Sequence, residues 1–387
     1  MNNKTFKNII NWVFIDNFLS VLLIVFFCSE AFGKIIYLSG SDTNIQSAIK
    51  VVVLIFITFK IIFYYKKYFH FLSIIGLSIC FLMGQYFIPD GFSTNIIVLF
   101  LRYIFPLILF LYFNNHLIIN ESSKKLLFKF FEAIIILNSF LIVFGFLFKI
   151  QIFETYEFSR FGYSGLLRNS STSTYFYLIS LFYFLYSYKE QFFNKWKSIL
   201  VFIVCFFIGT KSIYLGLSAV TLTYFFIRYK NYKKKYLLSF VFVLTTFILG
   251  YLLFFEFGQF NHIRQSDGLA SSILSYRDQL FLNNTLPNIK QNWSFINYLI
   301  GGLNNINARS QLDITDVIHF WGFLGGAFYL FIYYKFLITF KLVRIDLIFI
   351  VFLIFLIFFA GNFFTYTTIP IYLLIIREKM QSYTYYL

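Results

Sequence analysis

This sequence predicts an all-α, polytopic integral membrane protein with about a dozen transmembrane helices, and three observations carry that prediction. The 387-residue chain is 59% hydrophobic and only 12% charged. Its apolar residues come in repeated runs long enough to cross the roughly 30 Å hydrocarbon core of a bilayer. The runs are also too long and continuous for the alternating strands of a membrane barrel, so helices, which satisfy every backbone amide internally, are the economical answer.

Taken in order, the runs place helices near 9 to 30, 48 to 64, 71 to 88, 96 to 113, 126 to 148, 173 to 188, 198 to 209, 212 to 227, 237 to 255, 317 to 336, 346 to 361 and 365 to 376. All belong to a single transmembrane domain covering 1 to 387. The first run follows Lys4 and Lys7, contains Asp16 and lacks a small-residue cleavage site, which predicts a retained signal-anchor helix.

The formal charge of +16 does not predict a nucleic-acid partner. Its cations fall in short clusters between apolar runs, which is how membrane topology is written. With a cytoplasmic N-terminus, the inside loops collect Lys66, Lys67, Lys124, Lys125, Lys189, Lys195, Lys197, Arg228, Lys230, Lys233, Lys234, Lys235, Lys335, Lys341, Arg344, Arg377 and Lys379. Both termini are then cytoplasmic. Two long loops fall outside, at about 149–172 and 256–316, and loops of that length usually carry function. Cys28, Cys80 and Cys205 lie in apolar runs without CxxC spacing or a nearby His, so neither a metal nor a cofactor is expected.

The outside loops hold cations against the positive-inside bias. The first contains Arg160-Phe161-Gly162 through Arg168-Asn169, and the second contains Arg264, Arg277, Lys290 and Arg309. Guanidinium groups make bidentate pairs with phosphate oxygens, so a pyrophosphate is the natural partner. The competing reading gives each arginine to a lipid headgroup or to a loop carboxylate such as Glu154, Glu157, Asp267 or Asp278. The hairpin Gly209-Thr210-Lys211-Ser212 offers one more cation, serving the same anion or simply snorkelling. Arg102 lies ahead of Pro106, under two turns from the outer end of its run, and can reach outward to join the loop arginines.

Asp313, Asp316 and His319 recur every three residues, stacking on one face if helical. An aspartate there either accepts the proton of an attacking hydroxyl or caps the helix, and Asp316 is the better candidate cap. Gly322, Gly325 and Gly326 point to close helix packing. Lys129 and Glu132 are spaced to pair with each other, and Lys50 and Lys60, near helix ends, need no special role.

In this order and on this side of the membrane, these patterns resemble the bacterial O-antigen polymerases, within the superfamily that also holds the O-antigen ligases. The likeness rests on the twelve-run topology, Arg160-Phe161-Gly162 through Arg168-Asn169, Gly209-Thr210-Lys211-Ser212, Tyr276-Arg277-Asp278, Leu299-Ile300-Gly301-Gly302, and the spacing of Asp313, Asp316, Gly322 and Gly325. It implies a metal-independent glycosyltransferase in the bacterial cytoplasmic membrane. Its substrates would be oligosaccharide units on undecaprenyl pyrophosphate, joined at the periplasmic face, and a polysaccharide chain-length regulator would be a further partner. Arg277 and Asp313 are then the expected catalytic residues. Arg160, Arg168, Lys211, Arg309 and Arg102 are the expected pyrophosphate ligands. Two departures stand out: Lys211 replaces the family's usual arginine, and Gln311 stands where many polymerases have Glu and ligases a His. An O-antigen ligase and a lipid-linked oligosaccharide flippase are the alternatives. Against the flippase, the chain shows no internal repeat and has one asymmetric large loop.

Overall fold

The computed structural model describes residues 17–40, 45–64, 68–116, 121–156, 160–229, 232–256, 258–359 and 361–384. The stretch 9–16 of the first predicted run, with Asp16, and also Lys66, Lys67, Lys230 and Glu157, lie outside the described residues. The described chain is all-helical, and its only bridge pairing joins Glu154 to Tyr163.

Each predicted run lies on a helix. They are α1 Phe18–Leu38, α2 Ile45–Tyr64, α3 Tyr68–Tyr86, α4 Thr94–His116, α5 Glu121–Phe148, α6 Ser170–Tyr188, α7 Trp196–Phe207, α8 Lys211–Arg228 and α9 Tyr232–Tyr251. After the second long loop come α14 Asp313–Leu337, α15 Arg344–Phe359 and α16 Ile369–Thr384. Among the described residues, α1, α4, α5 and α14 are each long and apolar enough to cross a membrane. That is the architecture of a helical membrane protein. By contrast α7, with 12 residues, is about 18 Å long and falls short of a full crossing.

Large apolar side chains on the outward faces support the same conclusion. Val52 is 66% exposed and Phe247 73% exposed, in bands that only hydrocarbon would cover favourably. The centre is α6, whose residues from Thr172 to Tyr186 are all buried. It packs against α16, α8 and α7.

Several helix boundaries depart from the hydropathy pattern by four residues or more, those of α1 and α16 among them. Helix α1 continues to Leu38, through Glu30 and Lys34. Both charges are accommodated by partners: Glu30 accepts a hydrogen bond from Thr368 (2.8 Å), and Lys34 donates to the first long loop. Helix α16 starts at Ile369, not near 365, with Pro370 in its first turn, a position that proline favours because its missing N–H has no helical partner there.

The second long loop is itself largely helical. It forms α10 Gly258–Leu274, α11 Arg277–Leu280, α12 Leu286–Asn292 and α13 Phe295–Ile300, with a π-helical turn at Phe281–Thr285. The end of α13 crosses α14 at a kink. Gly322 has φ 71° inside α14, and a Cβ there would collide with the backbone of Leu299 and Gly301. Gly322 and Gly325 therefore serve close packing against α13, Gly322 through a backbone-on-backbone crossing, whereas Gly326 meets only its own helix.

The two ends of the bundle differ. At one end lie the residues 151–156 and 160–168, the Gly209–Ser212 hairpin and α10–α13. At the other, Glu132 pairs with Lys197 (2.6 Å) and accepts from Tyr183 (2.9 Å), Lys124 pairs with Glu378 (3.0 Å), and buried Arg377 contacts Glu378 (3.3 Å) and Asn114 (2.5 Å). Glu132 thus takes its cation from α7, 65 residues away, and not from Lys129 as the helical spacing predicts. The 25 residues of α14 separate the two ends by about 37 Å.

Candidate functional site

The loop after α5 folds back into the bundle. A 3-10 turn at Gln151–Phe153 leads to the Glu154–Tyr163 bridge, and Phe153 carbonyl oxygen accepts from both Ser164 N–H (2.9 Å) and Gly165 N–H (3.2 Å). Lys34, on α1, closes this turn. Its Nζ donates to Glu154 O (2.9 Å), Ser164 Oγ (2.8 Å) and Gly165 O (2.7 Å). A second support comes from α5, where Asn138 donates to Ser164 O (3.1 Å) and accepts from Leu166 N–H (2.8 Å). The Gly209 hairpin then packs on the backbone of Phe161 and Gly162, while Tyr163 N–H bonds Phe207 O (2.7 Å). The three segments interlock, and this fixes the cations they carry.

Arg160, Lys211 and Arg277 gather on one side. Lys211 Nζ donates to the carbonyl oxygens of Ser272 and Ile273 (the latter 2.9 Å). Lys211 and Arg160 lie over the same Phe260 ring, at 4.2 and 5.5 Å, and Arg160 also stacks on Tyr156 at 4.1 Å. Arg277 is close enough to both to repel them electrostatically. It follows Tyr276, whose φ of 66° turns the chain into α11, and it packs by Gly361. Burial pulls the Arg277 guanidinium below its ordinary value while Asp313 pushes it back up, and a guanidinium stays protonated throughout.

Asp313 and Asp316, both 1% exposed, open α14 beside this group. Neither caps its own helix by a side-chain bond, so the capping reading of Asp316 does not hold. Asp313 accepts from Phe363 N–H (2.9 Å), and Asp316 accepts from Ser310 N–H and Oγ (2.9 Å each) while pairing with Arg309 (2.9 Å). Asp313 lies in the fields of both Arg277 and Arg309. Arg309 is therefore a paired cation bridging loop to helix.

Beyond Arg309 a second set of cations begins. Arg102 on α4 faces Arg309 and Tyr366, and Lys50 on α2 faces Arg102, Arg168 and Glu30. Arg168 lies over the Tyr37 ring (5.2 Å) and beside Gly33. Lys50 thus belongs to the charged interior, contrary to the sequence reading. The signals that could have found it, and with it Lys34 and Glu30, were ionisable residues inside or bordering apolar runs.

The remaining predicted partners fall elsewhere. Arg264 is satisfied by Phe254 O (3.2 Å) and Asn261 (3.0 Å), and Lys290 is exposed. Asp267 bonds Ser266, Tyr276 and Gln279, and Asp278 bonds Ser271 (2.6 Å). Buried His319 bonds Asn288 (3.1 Å), and Gln311 is exposed with φ 60°. Among the described residues no cluster of His, Cys, Asp and Glu suits a metal ion.

An apolar cleft of about 360 Å³ adjoins the aspartates. It lies between α14, α15 and α16, running from Ile314 and Phe363 past Tyr334 and Leu353 to Met380 and Arg377. Its upper residues are next in sequence to Asp313 or bonded to it. Fold and site together define the class: a helical membrane protein with a cluster of cations beside two buried carboxylates at one end of the bundle. Comparison of the chain with protein-family models, curated proteins and solved structures finds no match.

Proposed function

We propose that this chain is a membrane glycosyltransferase of the O-antigen polymerase type, joining undecaprenyl-pyrophosphate-linked oligosaccharide units at the outer face of the bacterial cytoplasmic membrane. The observation that carries the reading is the convergence of Arg160, Lys211 and Arg277 beside buried Asp313. These residues come from three segments far apart in sequence.

The chemistry follows from that arrangement. The acceptor hydroxyl oxygen attacks the anomeric carbon of the donor sugar, and the bond from that carbon to the diphosphate oxygen breaks. The leaving diphosphate gathers negative charge, and fixed cations in a water-poor site stabilise it more than they stabilise the starting ester. Arg277 and Arg160 take that role, with Lys211 supporting as a point charge. The hydroxyl proton passes to Asp313, which sits between Arg277 and Arg309. The bond to the diphosphate is already activated, so no nucleotide is needed. The apolar cleft beside Ile314 and Phe363 offers lodging for a lipid tail whose diphosphate reaches the cations beside Asp313, and this supports a lipid-linked substrate.

The test is a gel of surface polysaccharide from a deletion strain complemented with variants. Arg277→Ala and Arg160→Ala are expected to collapse the ladder of repeat units to a single unit while the protein stays in the membrane. Full-length polymer from both variants would remove the diphosphate role of these arginines. Complete loss of repeat units in the deletion strain would point to a ligase or a flippase instead.

A further inference from the structure

Arg277 follows a turn that its own residues disfavour. Ser275 and Tyr276, the two positions before it, are both left-handed, with φ of 55° and 66°. That conformation is costly for a residue with a Cβ and persists only where the surroundings hold it.

What holds it is α10. Gly268, at φ 90° with open space beside it, kinks that helix, and Asp267 and Ser271 lie on either side of the kink. Asp267 accepts from the Tyr276 hydroxyl (3.1 Å) through Oδ2 and from Gln279 Nε2 (3.2 Å) through Oδ1. Ser271 adds two bonds: its carbonyl oxygen accepts from Tyr276 N–H (3.1 Å), and its hydroxyl donates to Asp278 (2.6 Å). Residues 276, 278 and 279 are each fastened to α10, and together they fix the backbone from which Arg277 projects. The same helix is tied to a second cation. Its last turn carries carbonyls that have no partner inside the helix, and Lys211 Nζ donates to two of them, on Ser272 and Ile273. An ammonium is also favoured there by the helix dipole. Residues 267–273 therefore act as a short strut, with Lys211 at one end and the Arg277 turn along its side.

The charge of Asp267 is the wrong one for the ligand of the neighbouring cations. Hydrogen bonds from Ser266 and then Gln279 hold its carboxyl below the ordinary value, so it is ionised at neutral pH, and its field opposes any anion bound beside Arg277 and Lys211. By charge alone, removing it would strengthen anion binding. By geometry, removing it frees the strained turn and weakens binding. The two accounts differ in sign.

We propose that Asp267 is a positioning residue for anion binding: acting through Tyr276 and Gln279, with Ser271 beside it, it sets the Arg277 guanidinium where it and Lys211 meet one diphosphate. The proposal rests on the glycosyltransferase reading and deepens it, by giving a role in that site to a carboxylate that never touches the ligand.

The experiment is equilibrium binding of radiolabelled farnesyl diphosphate to the full-length protein in phosphatidylcholine nanodiscs. Arg277→Gln is expected to weaken binding by about tenfold to a hundredfold, the effect of one charge-assisted contact. Asp267→Ala is expected to weaken it by up to about tenfold, because a misplaced contact loses part of what a deleted one loses. Asp267→Asn removes the same charge but keeps an acceptor for the Tyr276 hydroxyl, so a smaller loss is expected; Ser271→Ala, which removes the bond to Asp278, is expected to weaken binding without any change of charge. In an Arg277→Gln background, Asp267→Ala is expected to change the remaining affinity by less than about twofold, since the contact it positions is already gone. Tighter or unaltered binding in Asp267→Ala, with Arg277→Gln still weakened, would overturn the positioning role and leave the loop cations as the diphosphate site. An equal loss from Asp267→Ala in both backgrounds would overturn it as well, because the effect would not pass through Arg277. Absence of binding by the unsubstituted protein would overturn both readings.

Discussion

Replacing Lys34 with methionine tests how the loop cations are positioned. The ammonium donates to Glu154 O, Ser164 Oγ and Gly165 O at 2.9, 2.8 and 2.7 Å, and methionine fills the stem while supplying no donor. The Ser164 hydroxyl keeps its own bond to Leu167 O (2.9 Å), so the loss falls mainly on the two carbonyls. At about 1–3 kcal/mol for each stranded group, the variant loses about 2–6 kcal/mol. The turn retains its bonds to Phe153 O and to Asn138, so the loss appears as local opening of 153–156 and 160–168 and not as unfolding of the bundle. Hydrogen–deuterium exchange of peptides from this segment reads it directly. The lower figure corresponds to about thirtyfold faster exchange, with peptides from α5 and α6 unchanged. Unaltered protection of 153–156 and 160–168 in a folded Lys34→Met protein would refute the claim that this lysine holds the loop, and with it the account of how Arg160 and Arg168 are placed.

Other substitutions probe independent parts of the argument. Arg309→Ala leaves Asp316 buried without its cation and is expected to destabilise by about 3–5 kcal/mol. Adding Asp316→Asn should recover part of that loss in a thermal-stability cycle, and strict additivity would count against the pairing. Gly322→Val forces a branched side chain onto positive φ and into the backbone of Leu299–Gly301, so loss of folded protein in detergent is expected, whereas Gly250→Ala, facing open space, should be tolerated. Glu132→Gln should lower the melting temperature by removing the Lys197 ion pair, and a paired Lys129→Gln should not. For sidedness, Lys290→Cys in a background lacking the native cysteines should react with an impermeant maleimide on intact cells, and Lys195→Cys only after lysis. The reverse pattern would invert the proposed orientation.

The helices were legible because the bilayer imposes a local rule. A run that satisfies its own amides and hides no polar group from lipid announces itself within about 20 residues, without reference to the rest of the chain. The loop cations were legible for a related reason, since Arg160, Arg168, Arg277 and Arg309 stand on the side where the charge pattern leaves few. Pairings were not. Spacing along one helix suggests Lys129 for Glu132, but the partner is Lys197, and no period in the sequence encodes a contact between helices. The same holds for Asp316, whose position at a helix start suggests a cap but whose oxygens turn back to Ser310 and Arg309.

By itself, then, the sequence determined an all-helical membrane chain, the approximate place of each apolar run, and which cations stand apart from the topological clusters. Only the tertiary structure decided that 258–300 folds into short helices, that Lys34 on α1 fastens a turn 120 to 131 residues away, and that Arg168 lies beside Gly33 and across Tyr37. The physical reason is range. Burial of a single segment depends on its own composition, whereas the field at a charged group is summed over whatever neighbours the packing brings to it, and those come from every part of the chain.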